Sequence, residues 1–276
     1  VSQKPPVVKV LHRGNPEAPK DEVTPGTLSW VSVLEKDLGT NDTPEAERRA
    51  ALARWITHPK NPLTRRVIVN RLWHWHFGQG IVDTPSDFGF GGSTPSHPEL
   101  LDWLAANFIE KGWKIKELHR LILHSSTWLQ DSSWDRKSSE IDSESRLLWR
   151  FPPRRLGAES IRDTMLSLSG NLNPQMGGPS YKPFSISSFG SSFYKIRDQE
   201  GPQFDRRSIY RMNVNSGKDP LLDVFDCPDP SVKAPRRSST TTPLQALSLM
   251  NNSLVQRLSK SFSARLEQEA KKDGGN

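Results

Sequence analysis

NPLTRRVIVNRLWHWHFGQG, residues 61–80, is the stretch whose reading decides the fold. It reads as one helix over 62–77 with a sharp start and a sharp stop. Asn61 can cap the first turn, and Pro62 suits the first helical position, where a missing N–H is no loss. Val67, Ile68, Leu72 and Trp75 recur at helical intervals and are expected to form its apolar face. Gly78 and Gly80 supply the left-handed backbone that ends helices. The same segment carries Arg65, Arg66, Asn70, Arg71, His74 and His76, with Arg66, Asn70 and His74 spaced four apart along one stripe. His74 and His76 differ by about 200° around the helix, so this element alone cannot aim both at one metal.

Working outward, 44–56 is expected to be a helix capped by Thr43. Ser96 and Glu99 have the spacing of a capping box ahead of Leu100, Leu101, Trp103, Leu104 and Phe108, and Gly112 stops that helix. A third runs over 115–124 with Leu118, Leu121 and Ile122 inward. A fourth covers 155–169 with Leu156, Ile161, Met165 and Leu168 inward and Gly170 at its end. Thr242-Pro243 opens a last helix, broken near Asn251-Asn252. The expected architecture is mainly α, about six helices around the central helix (62–77), with a small antiparallel β element. That element is expected to pair the run VVKVL, 7–11, with SIYRMNV, 208–214. One domain is expected over 1–276: an extended N-terminal arm (1–29), an irregular or β insert (171–240) and a disordered tail (266–276).

The chain has 276 residues, enough for a sizeable core, and nine Trp with eleven Phe offset a low apolar fraction of 34%. A net charge of +7 permits an acidic partner. Nucleic acid is set aside, because no recognised binding motif is present. The single Cys227 excludes an internal disulfide and a CxxCH haem attachment. No apolar run approaches the ~20 residues of a membrane span. The opening VSQKPPVVKV is read as a cut from a longer precursor.

Candidate chemistry falls into two groups. His74, His76, Asp87 and His97, with Asp83 in reserve, could supply two imidazoles and a carboxylate to zinc or non-haem iron. Arg66, Arg71, Arg154, Arg155, Arg206 and Arg207 present guanidinium forks suited to sulfate, phosphate or uronate. The competing reading pairs the arginine clusters with Glu159, Asp163 and Asp205, pinning the irregular region to the helices. Trp73, Trp75, Trp103, Trp113, Trp128 and Trp149 are read as mostly core. Trp134, in a polar loop, is expected to be exposed and suited to stacking on a sugar. Cys227, flanked by Asp226 and Asp229, is expected to be inert.

The order of the long motifs carries a resemblance. The 61–89 segment is followed by PSHPELLDWLAANFIEKGWKIKELHRLILHSSTW and by SRLLWRFPPRRLGAESIRDTMLSLSG. Then come MGGPS, RRSIY, FDCPDP and TTPLQALSLMNN. Together these resemble the planctomycete-specific secreted domain family, a domain of unknown function (1553), over nearly the whole chain. Where members often carry Gln-His-His, this chain has His74-Trp75-His76. The resemblance implies an exported, periplasmic or secreted protein in which this domain lies C-terminal to others, often with a cytochrome c-like domain. Haem is then expected only in that separate domain, and the partners are other domains of the precursor and possible polysaccharide. The leading functional expectation is a non-catalytic interaction or carbohydrate-binding module. The alternatives are a metal-dependent hydrolase or oxidase acting on polysaccharide, and a structural domain positioning a haem domain for electron transfer.

Overall fold

The computed structural model describes residues 6–29, 31–35, 37–188, 192–215, 217–272 and 274. The chain divides into two compact units, residues 1–153 and 154–276. It is mainly helical, with ten helices and two separate two-stranded antiparallel pairs among the described residues. Ten replace the six expected for a simple reason. Three are too short, at 4, 6 and 5 residues, to show a period, and the last long one is split.

In the first unit, β1 (Lys9–Leu11) pairs with β2 (Pro19–Glu22). This corrects the expected pairing of 7–11 with 208–214. The partner is a near neighbour in sequence, and closing a short loop loses less chain entropy than bridging about two hundred residues. Helix α1 (Glu45–Thr57) buries no side chain fully. Thr43 does not cap it, because its hydroxyl oxygen accepts from the Thr40 N–H at 2.9 Å.

Helix α2 (Pro62–Phe77) forms as its ends dictate. The Asn61 side chain accepts from the Leu63 N–H, Pro62 takes the first turn, and Gly78 closes it at φ 79°. Its inward face differs from expectation: Val69, Asn70, Leu72, Trp73 and Phe77 are buried, while Trp75 is 60% exposed. Asn70 sets this rotation. Its Oδ1 accepts from the Val82 N–H at 2.8 Å, and its Nδ2 donates to the Val82 carbonyl at 2.9 Å. One buried amide thus satisfies both backbone groups of a residue in the following loop. Gly80 lies so close that a Cβ there would stand 2.4 Å from the Val82 carbonyl and under 3 Å from the Asn70 amide.

Helix α3 (Pro98–Glu110) buries Leu101, Leu104, Ala105 and Phe108, and α4 (Ile115–Leu123) buries Leu118 and Ile122. Both pack on α2. The capping box at Ser96 is not made. The Ser96 hydroxyl turns to the Ile81 carbonyl and to His97 Nδ1, and His97 occupies the cap position. Trp103 is 53% exposed and Trp113 also faces out, so the tryptophans divide between core and surface. Trp134 is 62% exposed, as expected for its loop. Short helices α5 (Ser126–Leu129) and α6 (Arg136–Ile141) complete the unit.

The second unit is built on α7 (Ala158–Ser169), which starts three residues later than expected and ends at Gly170, φ 78°. Leu156 and Leu168 are exposed, and the inward stripe is Ala158, Arg162, Leu166 and Ser169. Strands β3 (Phe184–Ser188) and β4 (Ser192–Ile196) pair antiparallel. Residues 189–191 of the Gly/Ser-rich segment lie outside the described residues. Residues 208–210 form a 3-10 turn where a strand was expected. The cause is Asp163, whose Oδ1 takes both the Ser208 N–H and the Ser208 hydroxyl at 2.7 Å, so that N–H is not free for a ladder.

Helix α8 (Pro220–Val224) is capped by the Asp219 carboxylate, and α9 (Pro243–Asn251) by a Thr242/Gln245 capping box. Asn252 separates α9 from α10 (Ser253–Lys272). The expected disordered tail is therefore helix as far as Lys272, and residues 273, 275 and 276 lie outside the described residues. The core of this unit gathers Ala158, Leu166, Leu221, Leu222, Phe225, Leu254 and Leu258.

Candidate functional site

The four residues read as metal ligands are engaged separately. His76 Nε2 lies 2.7 Å from His119 Nδ1, with both rings held between α2 and α4 and the His76 ring edge-on to Trp128 at 5.3 Å. Asp87 spends one oxygen on the Gly89 N–H within its own loop, at 2.9 Å. His97 bonds Ser96 through Nδ1 at 3.0 Å. His74 sits half-buried on α2. Among the described residues, no three of His, Cys, Asp and Glu stand together as a metal-holding group. The His76–His119 pair joins residues 43 positions apart, so no spacing in the sequence could announce it.

The arginines read as anion-binding each have internal work. Arg66 pairs with Asp102 at 2.6 Å, and Arg71 donates to the Ser86 hydroxyl at 3.0 Å. Arg155 bonds Asp226 and the Gln245 side chain. Arg206 donates to the carbonyls of Pro179 and Gly177 and stacks over Tyr210 at 4.1 Å, pinning the MGGPS turn. Arg207 faces Asp163 at 3.7 Å and is largely exposed. Arg154 is exposed. Nearby, Arg237 forms a two-bond fork with Glu159 at 2.6 and 2.9 Å. Burial would raise the Glu159 carboxyl, but the Arg237 bonds outweigh it and hold the group below its ordinary value. Cys227 lies against that carboxylate. Burial, then the Glu159 charge, pushes its thiol up to about 11, so it stays protonated.

The second unit also holds a cavity of about 240 Å³, whose lining includes Arg162 of α7 and Asn252. Its floor begins on α7. The buried Arg162 donates to the Arg206 carbonyl at 2.9 Å and to the Phe204 carbonyl at 2.8 Å, fixing residues 204–208. From there the chain carries Tyr210 and Met212 alongside Tyr181. The Tyr181 N–H donates to the Tyr210 carbonyl and the Met212 N–H to the Tyr181 carbonyl, both at 2.9 Å. This parallel bridge sets Tyr181 beside Arg211. The Arg162 guanidinium lies 5.7 Å from the centre of the Tyr181 ring.

Arg211 is the least accommodated charge in the lining. Its side chain is 5% exposed and stands 3.5 Å from Asp219 Oδ2. Nη1 donates to Asn213 at 2.9 Å, while Nε and Nη2 have no hydrogen-bond partner among the described residues. The same is true of the Tyr181 hydroxyl, in a residue 8% exposed, and of the half-buried Gln199 Oε1. Burial pushes the Tyr181 phenol above its ordinary value, so it is a neutral donor at physiological pH. Buried donors and acceptors are nearly always paired, so these groups are exceptions that the packing of this unit tolerates.

The fold and this cavity together describe a mainly helical chain whose second unit holds an arginine- and tyrosine-lined recess. The chain belongs to the family described as PSD1, protein of unknown function (DUF1553), whose model matches residues 48–273. No curated protein and no solved structure matches it. Among the described residues, no helix is long and apolar enough to cross a membrane.

Sequence reasoning passed over Arg211, Tyr181 and Gln199. Arg211 follows RRSIY directly, but neither periodicity nor charge pattern separates it from its neighbours Arg206 and Arg207. Burial sets Arg211 apart from Arg207 but not from Arg206, which differs in donating to the carbonyls of Pro179 and Gly177.

Proposed function

We propose that the chain is a non-catalytic binding module whose second unit takes up a small polar ligand of saccharide type. One observation carries this reading: a cavity of the second unit is lined by Arg162, Arg197, Arg211, Asp198, Gln199 and Tyr181, a polar and charged wall. The volume, about 240 Å³, is some eight times a water's share of ~30 Å³, the scale of a single sugar ring. Phe204, edge-on to Tyr181 at 6.3 Å, adds an aromatic wall for sugar C–H groups. Binding fits better than catalysis, because both carboxylates of the lining face arginines, Asp219 facing Arg211 at 3.5 Å and Asp198 facing Arg257 at 3.4 Å. An exported protein, which the resemblance implies, would meet saccharides outside the cytoplasm.

The test is thermal unfolding of the full chain against a panel of neutral and acidic monosaccharides. A ligand at a hundred times its Kd stabilises the folded state by about 2.7 kcal/mol. The expected result is a concentration-dependent rise with at least one sugar, absent in Tyr181→Phe/Arg211→Met. A rise that persists unchanged in the double variant, or no rise with any sugar, overturns the reading.

A further inference from the structure

Apart from the cavity, we propose that α9 is the surface on which a second copy of this chain docks, the two helices packing antiparallel about a two-fold axis. The helix is built inside out. Its one buried side chain is polar, Gln245, and it gives no residue to the apolar core of its unit. Leu244, Leu247 and Met250 are instead 58%, 54% and 71% exposed. Spaced three apart, they form one stripe, with Gln245 about 200° around the helix from Leu247.

Hydrogen bonds hold α9 with that stripe outward. The Gln245 amide accepts from Arg155 at 3.0 Å and donates to the carbonyls of Val224 and Thr240, both at 3.0 Å. Rotating the helix to bury its leucines would break these bonds and strand their partners. Contiguous apolar surface left exposed in this way marks an interaction site, and whatever covers it must itself be apolar at the contact.

Charge and spacing point to a second copy as the occupant. The segment between Arg237 and Arg257, which contains α9, carries no charged side chain. Copies of a chain with net charge +7 repel one another over most of their surface, and an uncharged face is where they can approach. An acidic partner would be drawn to the basic surface instead. The stripe is also self-complementary. Leu244 and Met250 each lie three residues from Leu247, so a two-fold axis there sets Leu247 on its counterpart and Leu244 on Met250 of the second copy. A helix of nine residues is about 13 Å long, so the contact falls short of the ~800 Å² per partner of a standard interface. The dimer is therefore weak and reversible.

The experiment is sedimentation velocity of the full chain from about 1 to about 500 μM. A reversible monomer–dimer equilibrium is expected, tighter at higher salt because screening removes the repulsion between copies. Leu247→Glu should weaken association at least tenfold, while Leu129→Glu, at an exposed leucine of the first unit, should leave it unchanged. Leu244→Glu and Met250→Lys should each weaken association alone, and an equimolar mixture of the two should associate more tightly than either. Circular dichroism checks that each variant keeps its fold, and the mixture still decides should Leu247→Glu lose it. A dimer indifferent to Leu247→Glu overturns the proposal, and a mixture no tighter than its components overturns the two-fold pairing. A chain monomeric at every concentration also overturns it, and if that chain binds phosphatidylcholine vesicles that Leu247→Glu does not, the face belongs to a lipid surface.

Discussion

Replacing Asn70 by alanine should be among the most damaging single changes in the first unit, although asparagine is an ordinary surface residue on most helices. The side chain is fully buried, and its amide makes a paired donor and acceptor bond to Val82, at 2.9 and 2.8 Å. Val82 is itself buried, and neither its N–H nor its carbonyl has another hydrogen-bond partner among the described residues. Truncation strands both. Each buried, unsatisfied backbone group costs about 1–3 kcal/mol, and the void left behind adds to the sum. We expect a loss of about 3–5 kcal/mol, a large share of a typical domain's stability of ~5–15 kcal/mol.

The assay is urea unfolding at pH 7, followed by far-UV circular dichroism, with Arg66→Ala as the surface control. Arg66 pairs with Asp102 at 2.6 Å, but both are exposed, so its loss should cost about 1 kcal/mol or less. Asn70→Asp sharpens the test. It keeps an acceptor for the Val82 N–H but sets a carboxylate against the Val82 carbonyl, and burial raises that carboxyl above its unfolded value of ~3.9. A raised acid contributes its stability below the unfolded value and loses it as pH rises through the folded one. The Asn70→Asp deficit should therefore shrink on acidification from pH 7 to pH 4. An Asn70→Ala chain within 1 kcal/mol of the unaltered protein would refute the argument that this amide orients α2.

Other outcomes follow from the second unit. With its thiol at about 11 against an ordinary 9.0, Cys227 should be alkylated by iodoacetamide at pH 8 about a hundredfold more slowly in the native chain than in urea. Similar rates would contradict the burial that raises it. Asp226 is held below the ordinary carboxyl value first by the Thr240 N–H, then by Arg155, with burial opposing. Its contribution is present above the ordinary value of ~3.9 and lost as pH falls through the depressed one. Asp226→Asn should cost about 2 kcal/mol at pH 6 and much less at pH 3, and a gap that does not narrow would deny the charge its role. Leu166→Ala, at the fully buried centre of α7, should cost about 3–5 kcal/mol in thermal unfolding, whereas Leu168→Ala, exposed two residues on, should cost under 1 kcal/mol.

What the sequence alone determined is local. Asn61, Pro62 and Gly78 bound α2 because a cap and a left-handed stop act within one turn. The same short range made Gly170, the Thr242-Pro243 start and the break at Asn252 legible. The mainly helical class followed from these signals, and so did the motif order that carries the family. Single-turn helices such as α5 and α8 escaped because four or five residues do not complete a period. What tertiary structure decided is which way each element faces and where polar groups converge. Trp75 faces out because Asn70 must face in, and that demand comes from Val82, twelve residues away. Ser208 leaves the extended path because Asp163, 45 residues earlier, captures its N–H. The cavity exists because Arg162 anchors residues 204–208 and so brings Arg211 beside Tyr181, thirty positions apart. Arg206 and Arg211 are the same residue type in one short segment, yet one is bonded into a turn and the other keeps an unpaired edge. Charge and spacing cannot separate them. Only the hydrogen bonds left over after folding do, and those are settled by distant parts of the chain.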